Sequence, residues 1–335
     1  MSQGLRGRRL SFSLAVLLTA SACHAKPTVM SPDDARSPLK LVGKINLPGV
    51  AGRIDHLALD PLHNLLFVAE YGNGSVDVVD LATNHVVGHI SGLHEPQGVG
   101  VSADRGQFVV ACGDGTVHFY ATRDRREVGS LSLGDDADDI RIDPRNGHAV
   151  IGYGKGGLAV VDMGSHQVVS RLILSGHPEG FSLLGAQVLI NIPDRGEIVK
   201  GNLDSGQTTA TWSTGLHRMN FPMAVDPTGR SFAVAFRLPS ALQVRDTVNG
   251  QVHATFGACG DADDVFFGAD RVYLVCGSGA VDVSSAVRPE AALQRVSTAH
   301  GARTGSFDAQ KGVLYLAVPK RDHDAAIWIL QSAGH

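Results

Sequence analysis

The chain has 335 residues, 43% hydrophobic and 19% charged, with 40 glycines. That is a globular, turn-rich composition, and the lack of heptads or long amphipathic stretches argues against an all-α fold. The formal net charge of −4 becomes −7 without residues 1–25, which carry Arg6, Arg8 and Arg9 and no acid; so acidic a chain lacks the broad basic footprint of a nucleic-acid binder.

Residues 1–25 read as an export signal: "MSQGLRGRR" supplies a positive segment, "LSFSLAVLLTASA" a short apolar one, and small residues follow at Ala20, Ala22 and Ala25. "ASAC" is an imperfect lipobox, so Cys23 is a candidate lipid anchor beside plain cleavage near Ala22 or Ala25. The expectation is an exported protein, periplasmic or associated with the cell envelope and monomeric. Residues 26–38 read as a linker and 39–331 as one domain. Of the four cysteines, Cys112, Cys259 and Cys276 follow Cys23. No C-x-x-C or C-x-x-C-H occurs, so neither a thiolate zinc site nor covalent haem is indicated. Cys259 and Cys276 fall in one repeat, where a disulfide depends on their distance.

One unit recurs along the chain. "HLALDPLHNLLFVAEYGNGSVDVVDLAT" from His56 reads as strand, turn, strand, glycine turn, strand, turn, with "HVVGHIS" as a fourth strand. Copies start at Gly98, Asp139, Met223 and Asp264, with a weaker one at Gly180 and a last one at Ser306. The turn after the first strand opens at Asp60, Ser102, Asp143, Leu184, Asp226, Gly268 and Asp308. Steps of about 40–42 residues are those of four-stranded propeller blades, so the fold class is all-β, a seven-bladed β-propeller. The seventh copy lacks a fourth strand. "LKLVGKINLP" near Lys40 is expected to supply it and close the ring, which removes two open sheet edges.

Five residues before each turn stand Asp55, Gln97, Asp138, Glu179, Phe221, Asp263 and Arg303. Polarity is thus gathered where the innermost strands begin, at one mouth of the central channel. His56, Glu95, Asp139, His177, Asn220 and Asp264 adjoin these positions. The near-duplicate clusters "GDDADDIR" and "GDADDVFF" place Asp138 and Asp263 across the ring from each other. Glu179, Asn220 and Asp263 form an oxygen-rich set suited to Ca²⁺ or Mg²⁺; the competing reading is that such aspartates accept loop N–H groups. Arg303 is expected to pair with Asp55 across the closing seam, or to anchor a carboxylate or phosphate. His56, His177 and Arg303 are the candidates for catalysis, though no serine or cysteine stands at a recognisable triad spacing. "GYGKGG" from Gly152 precedes a strand, so it reads as a hairpin turn. Tyr71, Cys112, Tyr153, Arg237 and Cys276, with Lys320, Arg321 and His323, are placed on the same face as an outer wall. Asp80, Asp162, Asp204 and Asp246 read as turn formers on the opposite face.

"LFVAEYGNGSVDVVDLAT" resembles the YVTN-type propeller repeat. Together "GRIDHLALD", "EPQGV", "DDADDIR", "HPEGF", "NFPMAVD" and "DADDVFF" resemble the secreted YncE-like propeller proteins of bacteria, over residues 40 to 330. The resemblance implies a seven-bladed propeller in the periplasm or on the cell surface without an assigned reaction. One such relative binds single-stranded DNA, and related propellers carry haem or hydrolyse lactones. The leading expectation is a binding protein whose channel mouth holds a small polar molecule, a metal ion or a protein surface. A metal-assisted lactonase- or lyase-like enzyme is the alternative. Single-stranded DNA binding comes third, disfavoured by charge and by the 6% aromatic content.

Overall fold

The computed structural model describes residues 27–268, 270–286 and 293–333. Residues 1–25, read as an export signal, and Cys23 among them lie outside the described residues. Seven sheets, antiparallel but for one added strand in blade six, stand in a ring, the first strand of each repeat innermost. The inner strands are Leu57–Asp60, Pro96–Ser102, Ala137–Ile142, Phe181–Leu184, Arg218–Val225, Ala262–Phe267 and Gly305–Asp308. The protein is a seven-bladed β-propeller, and the weak fourth repeat is a complete blade.

Burial explains why the repeat has this pattern. Second strands such as Leu65–Glu70 and Gln107–Cys112 each hold five consecutive buried residues, because blades cover both faces of the sheet. The outermost strand His85–Ser91 instead alternates exposed with half-buried positions. The core lies in the seams between blades. Phe67 of blade one meets Phe108 of blade two with ring centroids 4.5 Å apart, and Phe108 stacks on Tyr120.

Leu39–Asn46 pairs antiparallel with Ala326–Ser332 as the outer strand of blade seven, as the missing-strand argument requires. Both ends of the repeat array therefore share one sheet. Thr28–Met30, within the stretch expected to be a linker, runs parallel to Gln294–Ser297 and adds a fifth strand to blade six. Met30 is buried there, so this segment is held by packing as well as by backbone pairing.

The turns obey the chemistry of their residues. Asp60, Asp143, Asp226 and Asp308 each accept the N–H two residues on, at 3.0, 2.9, 2.6 and 3.0 Å. Asp80, Asp162 and Asp246 do the same after the third strand. Asp204 does not: Asn202 accepts from its N–H and takes the turn role in blade four, while the Asp204 carboxylate pairs with Arg145 at 3.0 Å. "GYGKGG" is a hairpin between Ala149–Tyr153 and Gly157–Asp162, with Gly154 and Gly156 at φ +58° and +151°. Cys259 and Cys276 are bonded within blade six, and Cys112 is a buried free thiol.

Candidate functional site

The inner strands all begin at one face, where the polar ring of the sequence assembles. In blades two, three, five and six the pairing slips there, between Pro96 and Gly98, Ala137 and Ile140, Asn220 and Met223, and Ala262 and Asp264. The residues just before these slips, Glu95, Asp136, Met219 and Asp261, have φ of +50°, +30°, +61° and +61°. Such irregularities re-aim side chains. They let successive aspartates serve two levels: Asp263 takes part in the mouth, whereas Asp264 lines the channel below. Tight approach of the blades also restricts this level: a Cβ at Gly98 would collide with the Asp138 carbonyl of the next blade.

The mouth has two unlike arcs. Across blades five to one its acids are matched. Arg237 reaches Asp263 at 2.5 Å and Asp261 at 3.4 Å, and its guanidinium lies 4.0 Å from the Phe221 ring centroid. Arg303 reaches Asp261 at 2.8 Å and Asp263 at 3.8 Å. Arg53 holds Asp55 at 2.7 Å and rests on Tyr71. The expected Arg303–Asp55 pair is therefore replaced: each finds a partner closer along its own chain path, Arg303 in blade six and Asp55 two residues upstream.

Across blades two to four no lysine or arginine, among the described residues, pairs with Asp136, Asp138 or Glu179. Gln97 donates to Asp136 at 2.8 Å. His177 donates from Nδ1 to the Gly154 carbonyl at 2.6 Å, which leaves Nε2 3.9 Å from Asp136 and 4.0 Å from Glu179. Burial raises Glu179 to about 9, with Asp138 and Asp263 adding to the rise against His56 and Arg237. Asp138 keeps some solvent contact but is crowded by protein; burial lifts it to about 7, and Asp55, Asp139 and Asp136 offset the pull of His56. Asp263 is also raised by burial, against the opposing guanidinium of Arg237. Two facing aspartates that look equivalent in the sequence thus differ in kind: Asp263 is ion-paired and Asp138 is not.

Below the mouth, His56 Nδ1 lies 3.6 Å from Asp264 Oδ1, and Asp264 Oδ2 accepts the Gly305 N–H at 2.8 Å. Asp139 accepts from Arg141. For His56 burial is the largest influence and lowers its pKa, but Asp264, Asp139, Asp55 and Asp138 together outweigh it and push it up to about 10. Burial raises Asp264 to about 7 in spite of His56. Beyond this level the channel, about 470 Å³, is walled by apolar residues such as Val99, Ile140, Met223 and Val265. A second hollow of about 410 Å³ opens beside the acidic arc, lined by Asp135, Asp136, His177 and Asp194 and also by Lys155 and Arg195.

Asn220 does not share this opening. It is fully buried between blades four and five, with Nδ2 donating to Asn191 Oδ1 at 3.0 Å and to the Glu197 carbonyl at 2.9 Å. The expected set of Glu179, Asn220 and Asp263 is thus divided: one member serves a seam, one is held by arginines, and Glu179 alone is free of a strong cation. Burial, and next the neighbouring Glu95 carboxylate, raise the Tyr71 hydroxyl on the mouth face. Of the outer-wall residues, Arg237 is part of the mouth itself, whereas Cys112 and Cys276 are buried. Arg53, Asp136 and Asp261 were not singled out from the sequence. They occupy one register, two residues before the polar ring, and that offset was the signal available.

The fold and site together define a seven-bladed β-propeller whose channel mouth is acidic on one arc and charge-paired on the other. Among solved structures the chain is similar to Kuenenia stuttgartiensis hydrazine synthase, with a TM-score of 0.75 and 16% identity over 86% of this chain and 99% of that one. That likeness is one of fold. No protein-family model matches the chain, and no curated protein matches it by sequence.

Proposed function

We propose that this protein is an exported binding propeller of the YncE-like kind, and that the acidic arc of its channel mouth receives a cationic group. The observation that carries this reading is the asymmetry of the mouth. Among the described residues no lysine or arginine pairs within 4.0 Å with Asp138 or Glu179, which lie near each other, while Asp55, Asp261 and Asp263 are matched by Arg53, Arg237 and Arg303. Two crowded carboxylates that no lysine or arginine pairs with directly are costly when ionised. A ligand ammonium or guanidinium supplies the missing charge, and the adjoining hollow gives it room. The ligand class is a small organic amine or guanidine, or a lysine or arginine side chain of a partner protein. The net negative charge of the chain assists the approach of such a partner. The YncE-like assignment rests on the motif resemblance, and export on the character of residues 1–25.

The arrangement favours an organic cation over Ca²⁺ at this place. With Asn220 turned into a seam, Asp138 and Glu179 offer few of the six to eight oxygens that ion takes. Calorimetric titration with spermidine and with ethylguanidinium tests the reading. Saturable binding at pH 8, weakened at least about tenfold in Asp138→Asn with Glu179→Gln, is expected, since each charged contact contributes more than a kcal/mol. Equal binding by the double variant, or no binding of either cation at low salt, overturns it.

A further inference from the structure

A second cluster lies away from the channel mouth, in blade one. Glu70 ends the second strand, Asp77 lies in the third strand, Ser75–Asp80, and His89 in the outer strand, His85–Ser91. Asp77 is cross-strand partner to both Val68 and His89, so these side chains share one face of the sheet with Glu70, two residues from Val68. Val68 packs with Tyr315, Ala317 and Ile327, which identifies this as the face toward blade seven, beside the seam where the ring closes.

Each of the three residues offers a ligand atom within 4.8 Å of the other two. Glu70 and Asp77 are buried, at 0% and 2% exposure, whereas the His89 side chain is 51% exposed. His89 Nδ1 lies 2.7 Å from Asp77 Oδ1, and Glu70 Oε2 accepts from the Ser75 hydroxyl. Glu70 Oε1 is buried and has no hydrogen-bond partner. A buried carboxylate oxygen with nothing to accept is an expensive arrangement that a proton or a bound cation relieves; burial raises Glu70 to about 7, so a cation there competes with a proton.

Blade six shows how the same position is satisfied without a ligand. Asp282 occupies the place of Asp77, and its cross-strand partner is Arg295, whose guanidinium holds both carboxylate oxygens at 2.6 and 2.8 Å. The counterpart of Glu70 there is Cys276, which is buried and disulfide-bonded to Cys259. Blade one thus carries one more buried carboxylate than blade six and an imidazole in place of a guanidinium.

We propose that Glu70, Asp77 and His89 bind a divalent first-row transition-metal ion, of which Zn²⁺ is the type, at the seam beside the ring closure. The donor set favours that class: imidazole nitrogen with two carboxylates suits zinc and its neighbours, whereas Ca²⁺ and Mg²⁺ prefer oxygen alone. The ion displaces the contact between His89 Nδ1 and Asp77. Their separation opens to about 3.3 Å, the edge of a tetrahedron around an ion 2.0–2.1 Å from each donor. Water completes the coordination from the exposed side of His89. The ion ties three strands of one blade together, so its action is on the stability of the closing blades.

Chelator-treated full-length protein titrated with Zn²⁺ alone tests this, with Co²⁺ absorption as a second readout of imidazole and carboxylate ligation. The expected result is one tight equivalent and a raised melting temperature, with affinity down about 100-fold in His89→Ala and in Glu70→Gln. Asp138→Asn with Glu179→Gln should bind zinc as the parent does, which separates this site from the mouth. His89 is half-exposed, so His89→Ala is expected to fold even where Glu70→Gln does not. No zinc uptake by the parent, or undiminished uptake by His89→Ala, overturns the proposal.

Discussion

At the scale of single residues, the decisive contrast is between Asp138 and Asp263. Arg237 reaches Asp263 from the end of the second strand of the preceding blade, and among the described residues nothing equivalent reaches Asp138. Substituting Arg237 by alanine leaves Asp261 to Arg303 and takes from Asp263 its close partner, with only Arg303 at 3.8 Å remaining; it is expected to cost roughly 2–4 kcal/mol by chemical denaturation, an Arg237→Lys variant recovering only part. Glu179 makes the opposite prediction. Its folded-state pKa, about 9, lies above the 4.5 of an unperturbed glutamate, so the folded state holds its proton more tightly. The stability from that proton is complete below pH 4.5 and is lost as pH rises toward 9. Glu179→Gln should therefore be more stable than the parent at pH 8, by at least about 1 kcal/mol after allowing for solvent contact, and level with it at pH 4. A melting curve that gives the two proteins the same slope against pH counts against the protonated Glu179. Asp138, Asp263, His56, His177 and Arg237 all face this carboxyl or lie close by, so the transition will be broad rather than that of one group.

At the scale of elements, the blade repeat was readable because its turns are written in aspartate and glycine at a fixed spacing, and the inner-strand register followed from it. Asp138, Glu179, Asp263 and Arg303 were placed at the mouth on that ground alone. Their partners were not readable, because an ion pair between blades joins residues such as Arg237, near the end of a second strand, and Asp263 from different repeats at no fixed sequence spacing. Asn220 was misplaced for a related reason. The slip between Asn220 and Met223 takes it out of the ring and into the seam with Asn191. The Glu70, Asp77 and His89 cluster was missed because it lies on the side of a blade, off the inner-strand register. The disulfide joins elements separated by 17 residues within blade six. Replacing both cysteines by alanine is expected to lower stability by about 3 kcal/mol, through the larger freedom of the unfolded chain. A denaturation midpoint unchanged by reductant would show that it contributes nothing.

At the scale of the whole molecule, the ring is closed by strands from both ends of the repeat array. Leu39 and Ile45 are buried in the closing strand, and its removal exposes the edge of Ala326–Ser332. A chain lacking residues 27–46 should aggregate and lose cooperative melting, whereas one lacking 27–36 keeps the ring and loses only the fifth strand of blade six. The closed ring also fixes what the mouth can do. Seven inner strands hold the carboxylates at set positions, so the acidic arc is preorganised and does not need to fold around its ligand. Rising pH strips protons from Asp138, at about 7, and Glu179, at about 9, so cation binding should strengthen between pH 6 and 9 and weaken with added salt. The most direct measurement is a crystal structure of the protein grown with spermidine or ethylguanidinium at pH 8. The expected result is density for the cation against Asp138 and Glu179, with Asp263 still held by Arg237. An empty acidic arc at saturating cation, or a cation that instead displaces Arg237 from Asp263, would contradict the division of the mouth into a paired and an open half.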